Sequence, residues 1–192
     1  MVTHNSTSTG RLIFELGGID ERKMEKLKKE ANDLGKGSFA FAFYMDRQKE
    51  ERARGVTIQY ATDQFYTDNY HYTILDCPGH VDYVKNMLAG SSQADVAVLM
   101  VPADGFTTAL AKGNPKKNEI EGQTRQHAML LNLLGVKQLI VVINKMDCDA
   151  AKYSKEKYDE VYNETFNVLS KVGWKKNFLQ NQVAFIPMWL EG

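Results

Sequence analysis

The sequence predicts an α/β fold in which a mostly parallel β-sheet carries helices on both faces. Two continuous apolar runs, Val96–Val101 and Leu139–Ile143, have the composition of strands that are buried on both faces. Stretches of helical periodicity alternate with these runs, at Gln123–Leu134 and in the long segment that begins after Ser154. This alternation is typical of parallel sheets, because parallel strands need a crossover connection, which is usually a helix.

The first part of the chain is predicted to be mainly helical. Met1–Gly10 is polar and without period, whereas Asp20 is placed to cap a charged helix that ends at Gly35. The inward face of that helix is predicted to consist of Leu27, Ala31 and Leu34. A second helix is expected over about Ser38–Arg52, and the charge run Arg47–Arg54 at its end has the pattern of a solvated helix surface.

An antiparallel hairpin is expected next. Gly55–Thr67 alternates apolar and polar residues, and a turn then leads into a second strand, Tyr70–Leu75. A helix follows over His80–Leu88. The remaining predicted segments are a Gly- and Lys-rich loop over Asp104–Gly122 and a short last strand at Val183–Ile186.

The composition excludes several classes of protein. The 192 residues are enough for one domain with a substantial core, and the 43% hydrophobic and 25% charged content is that of a globular chain. Lys and Arg together number 24, as do Asp and Glu, so no overall basic field directs the chain to nucleic acid. Two cysteines cannot form a disulfide framework, and neither a membrane-spanning run nor a signal peptide is recognised, so a cytoplasmic protein is expected.

The first chemically informative stretch is Asp76-Cys77-Pro78-Gly79-His80, which follows the second strand of the expected hairpin. Ligands bind at the carboxyl ends of strands in α/β sheets. An Asp can hold Mg²⁺ through a water, a Gly lets a backbone N–H approach an oxyanion, and a His can orient a water. The same residue types also form an ordinary Asp-x-Pro-Gly turn, so the stretch alone leaves both interpretations open.

A second stretch, Asn144-Lys145-Met146-Asp147, follows the second buried run directly. The Asp carboxylate presents two acceptors, which match the paired N–H donors of guanine and mismatch adenine. The Asn can bond the N7 edge of the base, and the Lys stem can lie along its ring face. Thr57 precedes both stretches and offers a hydroxyl to a metal ion. Their order along the chain therefore indicates a guanine-nucleotide site.

These motifs resemble those of the translation elongation factors that deliver aminoacyl-tRNA, a family that includes elongation factor 1-alpha, the elongation-factor-1-alpha-like proteins and the bacterial factor Tu. The resemblance covers roughly residues 6–188. It is carried by Ser6–Gly10, Gly17–Asp20, Gly35–Phe39, Glu50–Ile58, Asp76–Met87, Gly122–Ala128 and Gly135–Asp147. It implies a P-loop-type GTPase domain whose ligands are GTP or GDP and Mg²⁺.

The resemblance also implies roles for single residues. Ser6, Thr57 and Asp76 would hold Mg²⁺, and His80 would position the water that attacks the terminal phosphate. The residues that would bind GTP are Thr57, Asp76, Cys77, Pro78, Gly79, His80, Asn144, Lys145, Met146 and Asp147. The implied partners are aminoacyl-tRNA, the ribosome and a guanine-nucleotide exchange factor, and no membrane is implied.

The sequence departs from the family pattern at both ends. With Ser6 aligned to the last residue of the family's phosphate loop, His4 and Asn5 stand where a glycine and the lysine belong, and no strand precedes them. The stretch Gly35-Lys36-Gly37-Ser38 does not replace that loop, because it lacks the required spacing of glycines. After the last strand, Pro187-Met188-Trp189-Leu190 stands where the family has small residues whose backbone contacts guanine.

Residues 1–192 are therefore expected to form a single, incomplete GTP-binding domain without the first strand, the phosphate loop and the two β-barrel domains that follow in the family. Each charge-assisted hydrogen bond lost with that loop is worth roughly 1.5–3 kcal/mol, so GTP binding would weaken from nanomolar towards millimolar. Two alternatives remain. One is a degenerate, non-hydrolysing GTPase-like protein that binds a partner, and the other is an unrelated Mg²⁺-dependent phosphatase using Asp76 and His80, which would leave Asn144–Asp147 unexplained.

Overall fold

The computed structural model of the protein describes residues 5–114, 116 and 119–189, apart from the side chains of Asn5 and Val81. His4 and Leu190, which figure in the sequence predictions, lie outside these residues. The chain divides into two compact units, one ending at Gly90 and the other beginning at Ser91. We call them the amino-terminal unit and the carboxyl-terminal unit. No described helix is long and apolar enough to cross a membrane.

The amino-terminal unit combines helices with an antiparallel β-hairpin. In chain order its elements are α1 (Asn5–Glu15), α2 (Glu21–Asp33), a 3₁₀ turn (Gly37–Phe39), α3 (Ala42–Met45), α4 (Lys49–Arg54), β1 (Ala61–Tyr66), β2 (His71–Asp76), a second 3₁₀ turn (Val81–Tyr83) and α5 (Val84–Ser91). The hairpin is confirmed, with Ala61 opposite Asp76 and Tyr66 opposite His71. This register places Asp76 at the last paired position of β2.

The predicted start and inward face of α2 are largely confirmed. The Asp20 carboxylate accepts a hydrogen bond from the Arg22 N–H at 3.0 Å, which satisfies one of the donors at the start of the helix. The helix contributes three residues to the core of this unit: Met24, Leu27 and Ala31. Leu34 was expected there too but is 49% exposed, because it follows the last regular turn of the helix.

Within the described residues helix α1 spans Asn5–Glu15, so the prediction of an irregular start is wrong for residues 5–10. Gly10 allows the helix to lie against the chain near α3, since a Cβ there would stand 2.1 Å from the Phe41 carbonyl oxygen. Ser6 and Thr7 in its first turn are buried. No helical period of apolar residues is visible here, because the buried face of α1 starts with small polar residues.

The single helix predicted over Ser38–Arg52 is broken. Helix α3 ends at Met45, and the φ of −74° and ψ of 89° of the following residue, Asp46, are not helical. Helix α4 begins after Gln48, whose N–H donates to Glu51 Oε2 at 3.0 Å. The prediction of a solvated charge run is wrong for Glu51, which is 3% exposed.

The strand predicted over Gly55–Thr67 begins only at Ala61. Gly55 has a φ of 71° and ends α4 in the left-handed conformation that favours glycine. The N–H groups of Ile58 and Gln59, which a strand would pair with a neighbour, donate instead to Glu51 Oε1 at 2.9 and 3.1 Å. The alternating pattern therefore marks a segment held by a side chain rather than a strand.

The carboxyl-terminal unit is built on a parallel sheet in the order β3-β4-β5. Its elements are β3 (Val96–Pro102), α6 (Phe106–Ala109), α7 (Gln123–Leu133), β4 (Gln138–Asn144), α8 (Lys155–Lys171), α9 (Lys176–Asn181) and β5 (Ala184–Pro187). Helices lie in both strand-to-strand connections, as parallel pairing requires. The predicted α/β fold with a parallel sheet and helices is confirmed.

Burial along β3 differs from the prediction. Leu99 and Val101 are buried, but Val96 is 40% and Val98 is 55% exposed. Within the described residues β3 pairs with β4 alone, so its first residues alternate between the interior and solvent as in an edge strand. The prediction of burial on both faces is therefore wrong for the first part of β3.

The segment predicted as a loop over Asp104–Gly122 contains the short helix α6 and a bridge between Asn114 and Glu119. The cap of α8 is confirmed, because Ser154 Oγ accepts a hydrogen bond from the Lys157 N–H at 3.3 Å. The expected lack of a first strand and phosphate loop stays a prediction, since residues before Asn5 lie outside the described part of the chain.

Candidate functional site

The three residues predicted to bind a metal meet in the amino-terminal unit. The Ser6 hydroxyl donates to Asp76 Oδ2 at 2.5 Å and lies 2.9 Å from Thr57 Oγ1. The Thr57 hydroxyl donates to Asp46 Oδ1 at 2.9 Å. Helix α1, the segment after α4, strand β2 and the end of α3 thus each contribute one side chain. We call Ser6, Asp46, Thr57 and Asp76 the acid cluster.

The acid cluster holds more acceptors than protons. Each hydroxyl carries one proton, and Ser6 and Thr57 donate these protons to the two carboxylates. The 2.9 Å contact between the two hydroxyl oxygens then has no proton of its own. Protonation of a carboxyl group, or a cation that binds these oxygens, would remove this mismatch.

The burial and the raised pKa values of the two carboxyl groups also indicate that the cluster lacks positive charge. Asp76 is 4% and Asp46 is 3% exposed, and none of the ion pairs formed by the described residues includes either of them. Burial raises the pKa of Asp76 to about 7; the bond from Ser6 opposes this shift, and the neighbouring carboxylate of Asp46 adds to it. Burial likewise raises the pKa of Asp46 to about 6, against the bond from Thr57. The site favours added positive charge.

The donor set suits Mg²⁺. Hydroxyl and carboxylate oxygens are the hard ligands that Mg²⁺ takes, and a site with one or two carboxylates is usual for it. No group of three or more His, Cys, Asp or Glu side chains forms a metal cluster among the described residues, so this mixed set is the one to consider. The residues present fit the ion that the sequence predicted.

A second unsatisfied group lies next to the acid cluster along α1. The Thr7 hydroxyl is buried and has no hydrogen-bond partner. It belongs to the first turn of an eleven-residue helix, Asn5–Glu15, where N–H groups and the helix dipole favour an anion. A buried hydroxyl at a helix start can donate to a phosphate oxygen, and this is the role that its position supports.

The Asp76–His80 loop is fixed against α5. A Cβ on Gly90 would stand 2.6 Å from Cys77 Sγ, so this glycine lets the helix approach the loop closely. Pro78 is buried, and His80 is partly exposed. His80 Nδ1 accepts a hydrogen bond from the Asp82 N–H at 3.2 Å. Contact between His80 and a water would therefore be made through Nε2.

The carboxyl-terminal unit carries the second predicted motif at the end of β4. Asn144 is buried, and its Oδ1 accepts the Lys145 N–H at 2.8 Å. Lys145 has a φ of 63°, a conformation that non-glycine residues seldom adopt and that is commonest at functional loops. Asp147 is exposed, so its carboxylate is available to a ligand.

Two backbone bonds hold this loop from either side. The Met146 N–H donates to the Met188 carbonyl at 3.1 Å, and the Met146 carbonyl accepts the Tyr153 N–H at 2.7 Å. Next to these bonds the rings of Tyr153 and Trp189 meet edge to face, with centroids 5.2 Å apart. Both rings are exposed, at 59% and 44%. The segment after β5, which departs from the family pattern, thus supports the predicted base-reading loop through its backbone.

Lys36 does not behave as a phosphate-binding lysine. Its ammonium donates to the carbonyl oxygens of Arg52 and Ala53, at 3.1 and 2.6 Å, and so caps the end of α4. This agrees with the prediction that Gly35–Ser38 is not a phosphate loop.

Sequence reasoning missed Asp46, Glu51 and Thr7. Asp46 directly follows buried apolar residues of α3, an unusual place for an acid, and this was the available signal. Glu51 was hidden within a charge run, and Thr7 within a polar start that showed no period. The structure brings Ser6, Thr57 and Asp76 together, while Asn144–Asp147 belong to the other unit and stand as a site element of their own.

Comparison with solved structures defines the class of fold. The structure of Sup35 in complex with GMPPNP matches with a TM-score of 0.61 at 28% identity, covering 96% of this chain and 34% of that one. The GTPase-like domain of S. cerevisiae Ski7, bound to GTP, matches with a TM-score of 0.76 at 23% identity, covering 97% and 40%. The chain therefore has the fold of a GTPase domain.

Sequence comparison defines the family. Residues 5–189 match the family described as the elongation factor Tu GTP binding domain, and the chain belongs to it. Elongation factor 1-alpha of Plasmodium falciparum is 48% identical over 185 residues, which cover 95% of this chain and 39% of that protein. This chain thus spans about two fifths of the length of the curated relative. The resemblance inferred from the motifs is confirmed.

Proposed function

We propose that this chain is the GTP-binding domain of a translation elongation factor, that it binds GTP and GDP with Mg²⁺ at the weakened affinity that His4 and Asn5 predict, and that it hydrolyses GTP. The observation that carries the proposal is the convergence of Ser6, Thr57 and Asp76 in the acid cluster, next to the unpartnered hydroxyl of Thr7. Membership of the elongation factor Tu GTP binding domain family supports it.

The acid cluster is proposed as the metal end of the function. Ser6 and Thr57 would offer hydroxyl oxygens and Asp76 its carboxylate, the set already joined by hydrogen bonds. Bound Mg²⁺ would supply positive charge for the phosphate oxygens of the nucleotide. Binding of the ion would also keep Asp76 ionised against the burial that raises its pKa.

The start of α1 is proposed to hold phosphate. The first N–H groups of a helix have no acceptor within the helix. The buried Thr7 hydroxyl likewise has no described hydrogen-bond partner. The Gly79 N–H would contact the terminal phosphate, as the family resemblance implies, from a loop whose neighbour Pro78 is buried and fixed. These contacts depend on phosphate and not on the base.

The Asn144–Asp147 loop is proposed to select guanine. The exposed Asp147 carboxylate can accept both N–H donors of the guanine edge, and Asn144 can bond its N7 side. The Lys145 stem would lie on the ring face. Because the loop is held through both backbone groups of Met146, it is ordered before a base binds.

His80 is proposed to position the attacking water. With Nδ1 engaged by the Asp82 N–H, the ring is oriented and Nε2 is the atom that would meet water. Hydrolysis then proceeds by positioning and electrostatic stabilisation, as in other phosphoryl transfers. The proposed partners are aminoacyl-tRNA, the ribosome and a guanine-nucleotide exchange factor. The proposed role is delivery of aminoacyl-tRNA in the cytoplasm.

Base selection gives a direct test. Fluorescent GDP would be titrated into the chain with Mg²⁺, and GTP, XTP and ATP would compete. Asp147→Asn should weaken guanine binding at least about 100-fold, because two charge-assisted hydrogen bonds of roughly 1.5–3 kcal/mol each are lost. XTP should become the better competitor, since xanthine presents an acceptor where guanine has its amine. The matched control, Asp149→Asn, alters another exposed acid and should bind as the wild type does.

Two outcomes count against the proposal. Equal competition by ATP and GTP in the wild type would exclude guanine selection, and no binding of any nucleotide would exclude the nucleotide site. Hydrolysis separates the proposal from a non-hydrolysing GTPase-like protein. His80→Ala should retain GTP binding but hydrolyse it at least about 100-fold more slowly, the usual scale for loss of a water-positioning group.

A further inference from the structure

The segment between α4 and β1 carries Thr57 but has neither helix nor strand. Residues 55–60 form turns and irregular backbone. Their position therefore cannot come from a ladder of backbone hydrogen bonds. The N–H groups of Gly55 and Val56 donate to the Glu51 carbonyl at 2.6 and 3.3 Å, and beyond them contacts with side chains decide where the Thr57 hydroxyl lies.

Glu51 makes the central contact. Its Oε1 accepts the N–H groups of Ile58 and Gln59 at 2.9 and 3.1 Å, and its Oε2 accepts the Gln48 N–H at 3.0 Å. The side chain is 3% exposed, and none of the ion pairs among the described residues includes it. One buried carboxylate thus ties the start of α4 to the two residues that follow Thr57.

Asn86 makes the opposing contact. Its side-chain amide on α5 donates to the Ile58 carbonyl at 2.7 Å. Both the N–H and the C=O of Ile58 are therefore bonded to side chains, from the helix before the segment and from the helix after the hairpin. The residue beside Thr57 is fixed from two directions.

We propose that Glu51 is a positioning residue for Thr57, with Asn86 as its opposing support. Glu51 forms no described hydrogen bond to the acid cluster and acts on Thr57 through the backbone of Ile58, while its charge adds to the raised pKa of Asp46 and Asp76. It holds the Thr57 hydroxyl against Ser6 and Asp46, so that the metal-binding oxygens are assembled before the metal binds. The inference rests on the proposed function for its consequence in metal binding, while its structural part stands on the hydrogen bonds alone.

The test compares Glu51→Gln with Glu50→Gln. Glutamine keeps the size of the side chain, but it offers one acceptor oxygen instead of two and places an N–H₂ donor against backbone N–H groups. Glu50 is the neighbouring acid on the same helix, and it forms an exposed ion pair with Arg54 at 2.8 Å. The control therefore removes the same charge one position away.

The first readout is hydrogen exchange of single amides, followed by NMR in the full chain. Glu51→Gln should accelerate exchange at Ile58 and Gln59 by about tenfold or more, equivalent to about 1.4 kcal/mol, while Val141 in β4 keeps its rate. Glu50→Gln should leave all three amides unchanged. Equal exchange at Ile58 and Gln59 in the two variants would overturn the proposal.

The second readout is the Mg²⁺ concentration that gives half-maximal binding of fluorescent GDP. Glu51→Gln should raise it by about tenfold and leave GDP affinity in EDTA unchanged, and Asn86→Ala, which leaves the Glu51 charge in place, separates displacement of the Thr57 hydroxyl from loss of that charge. If Glu51→Gln fails to fold, Asn86→Ala should raise the Mg²⁺ requirement in the same way, and an unchanged requirement overturns the proposal. If the wild type binds no nucleotide, the proposed function fails, and amide exchange in Glu51→Gln or, if that variant is unfolded, in Asn86→Ala still decides the positioning role.

Discussion

The two units of the chain treat buried charge in opposite ways. The amino-terminal unit buries Asp46, Glu51 and Asp76 without a described ion pair to any of them. The carboxyl-terminal unit buries the charged Arg125 and pairs it with Glu121 at 3.0 Å. Its other buried side chains are apolar apart from uncharged polar ones such as Asn144, and Asp147, the acid proposed to select guanine, is exposed.

This difference shows what each unit contributes. A sheet with an apolar interior is stable by itself and can present an ordered loop to a base. A cluster of buried acids destabilises the folded state unless a cation binds or a carboxyl group is protonated, because buried charge without a partner is costly. The amino-terminal unit is therefore the part whose stability and order we expect to depend on ligands and pH.

The largest expected effect is a pH dependence that comes from Asp76. Its pKa in the fold is about 7 against an ordinary 3.8, so the folded state keeps a proton that the unfolded state releases. The contribution of this carboxyl group to stability is full below about pH 3.8, is lost as the pH rises through 7, and is absent above that value. Without Mg²⁺ or nucleotide, the Tm should fall by roughly 2–8 °C across this window, as one or two kcal/mol produce in a chain of about this length.

Asp46 adds to this slope with the same sign, since its pKa is raised from 3.8 to about 6. Asp76→Asn should flatten the profile measured by thermal melts at successive pH values. The exposed Asp68→Asn is the matched control and should reproduce the wild-type slope. A slope that survives in Asp76→Asn would contradict the assignment.

The next effect in size concerns the Thr57 hydroxyl. Thr57→Val keeps the shape of the side chain and removes the donor to Asp46, which leaves a buried carboxylate short of one partner. The loss should be about 1–3 kcal/mol in the free energy of unfolding, measured by urea denaturation. Thr62→Val, at an exposed position of β1, should change stability by less than about 0.5 kcal/mol. Equal losses would show that the hydroxyl has no special role.

A smaller effect tests the end of α4. Gly55→Ala should cost about 1–2 kcal/mol because an L-residue is strained at its φ of 71°. The added Cβ would also stand 3.2 Å from Lys36 Nζ, which caps the helix. Gly35→Ala is the matched control, because Gly35 has a similar φ of 68° but nothing lies within 4 Å of the added Cβ. Urea denaturation should show a greater loss for Gly55→Ala than for Gly35→Ala.

The last prediction concerns the carboxyl-terminal unit and has the opposite sign. Burial lowers the pKa of His127 on α7 below its ordinary 6.5, so the unfolded state takes up the proton first. The contribution to stability is present above pH 6.5 and is lost as pH falls below it. His127→Gln should remove this part of the acid sensitivity in thermal melts. A variant that is as acid-sensitive as the wild type would contradict it.

The sequence predicted the parts of the fold that follow from local patterns. The parallel strands β4 and β5, the hairpin and the caps at Asp20 and Ser154 all follow from short-range signals, and all are confirmed. The position of Asp76 at a strand end and of Asn144 at another followed from these elements. Motif spacing was sufficient to locate both informative loops.

The incorrect predictions concern segments whose structure depends on contacts between residues that are distant in the sequence. Val56 and Ile58 alternate as in a strand, but the Glu51 carboxylate takes the N–H groups that a strand would pair. The helix expected through Asp46 is interrupted where this acid meets Thr57, eleven residues further along the chain. Periodicity records burial and propensity, and it carries no information on which side chain accepts a given N–H.

The central claim is that the acid cluster of the amino-terminal unit is built to receive a cation together with a guanine nucleotide. Calorimetric titration of GDP with and without Mg²⁺, for the wild type and for Asp76→Asn, tests it most directly. Wild-type affinity should rise at least about tenfold with Mg²⁺, and the affinity of Asp76→Asn should rise less than about twofold. An equal rise in both proteins, or none in the wild type, would contradict the claim.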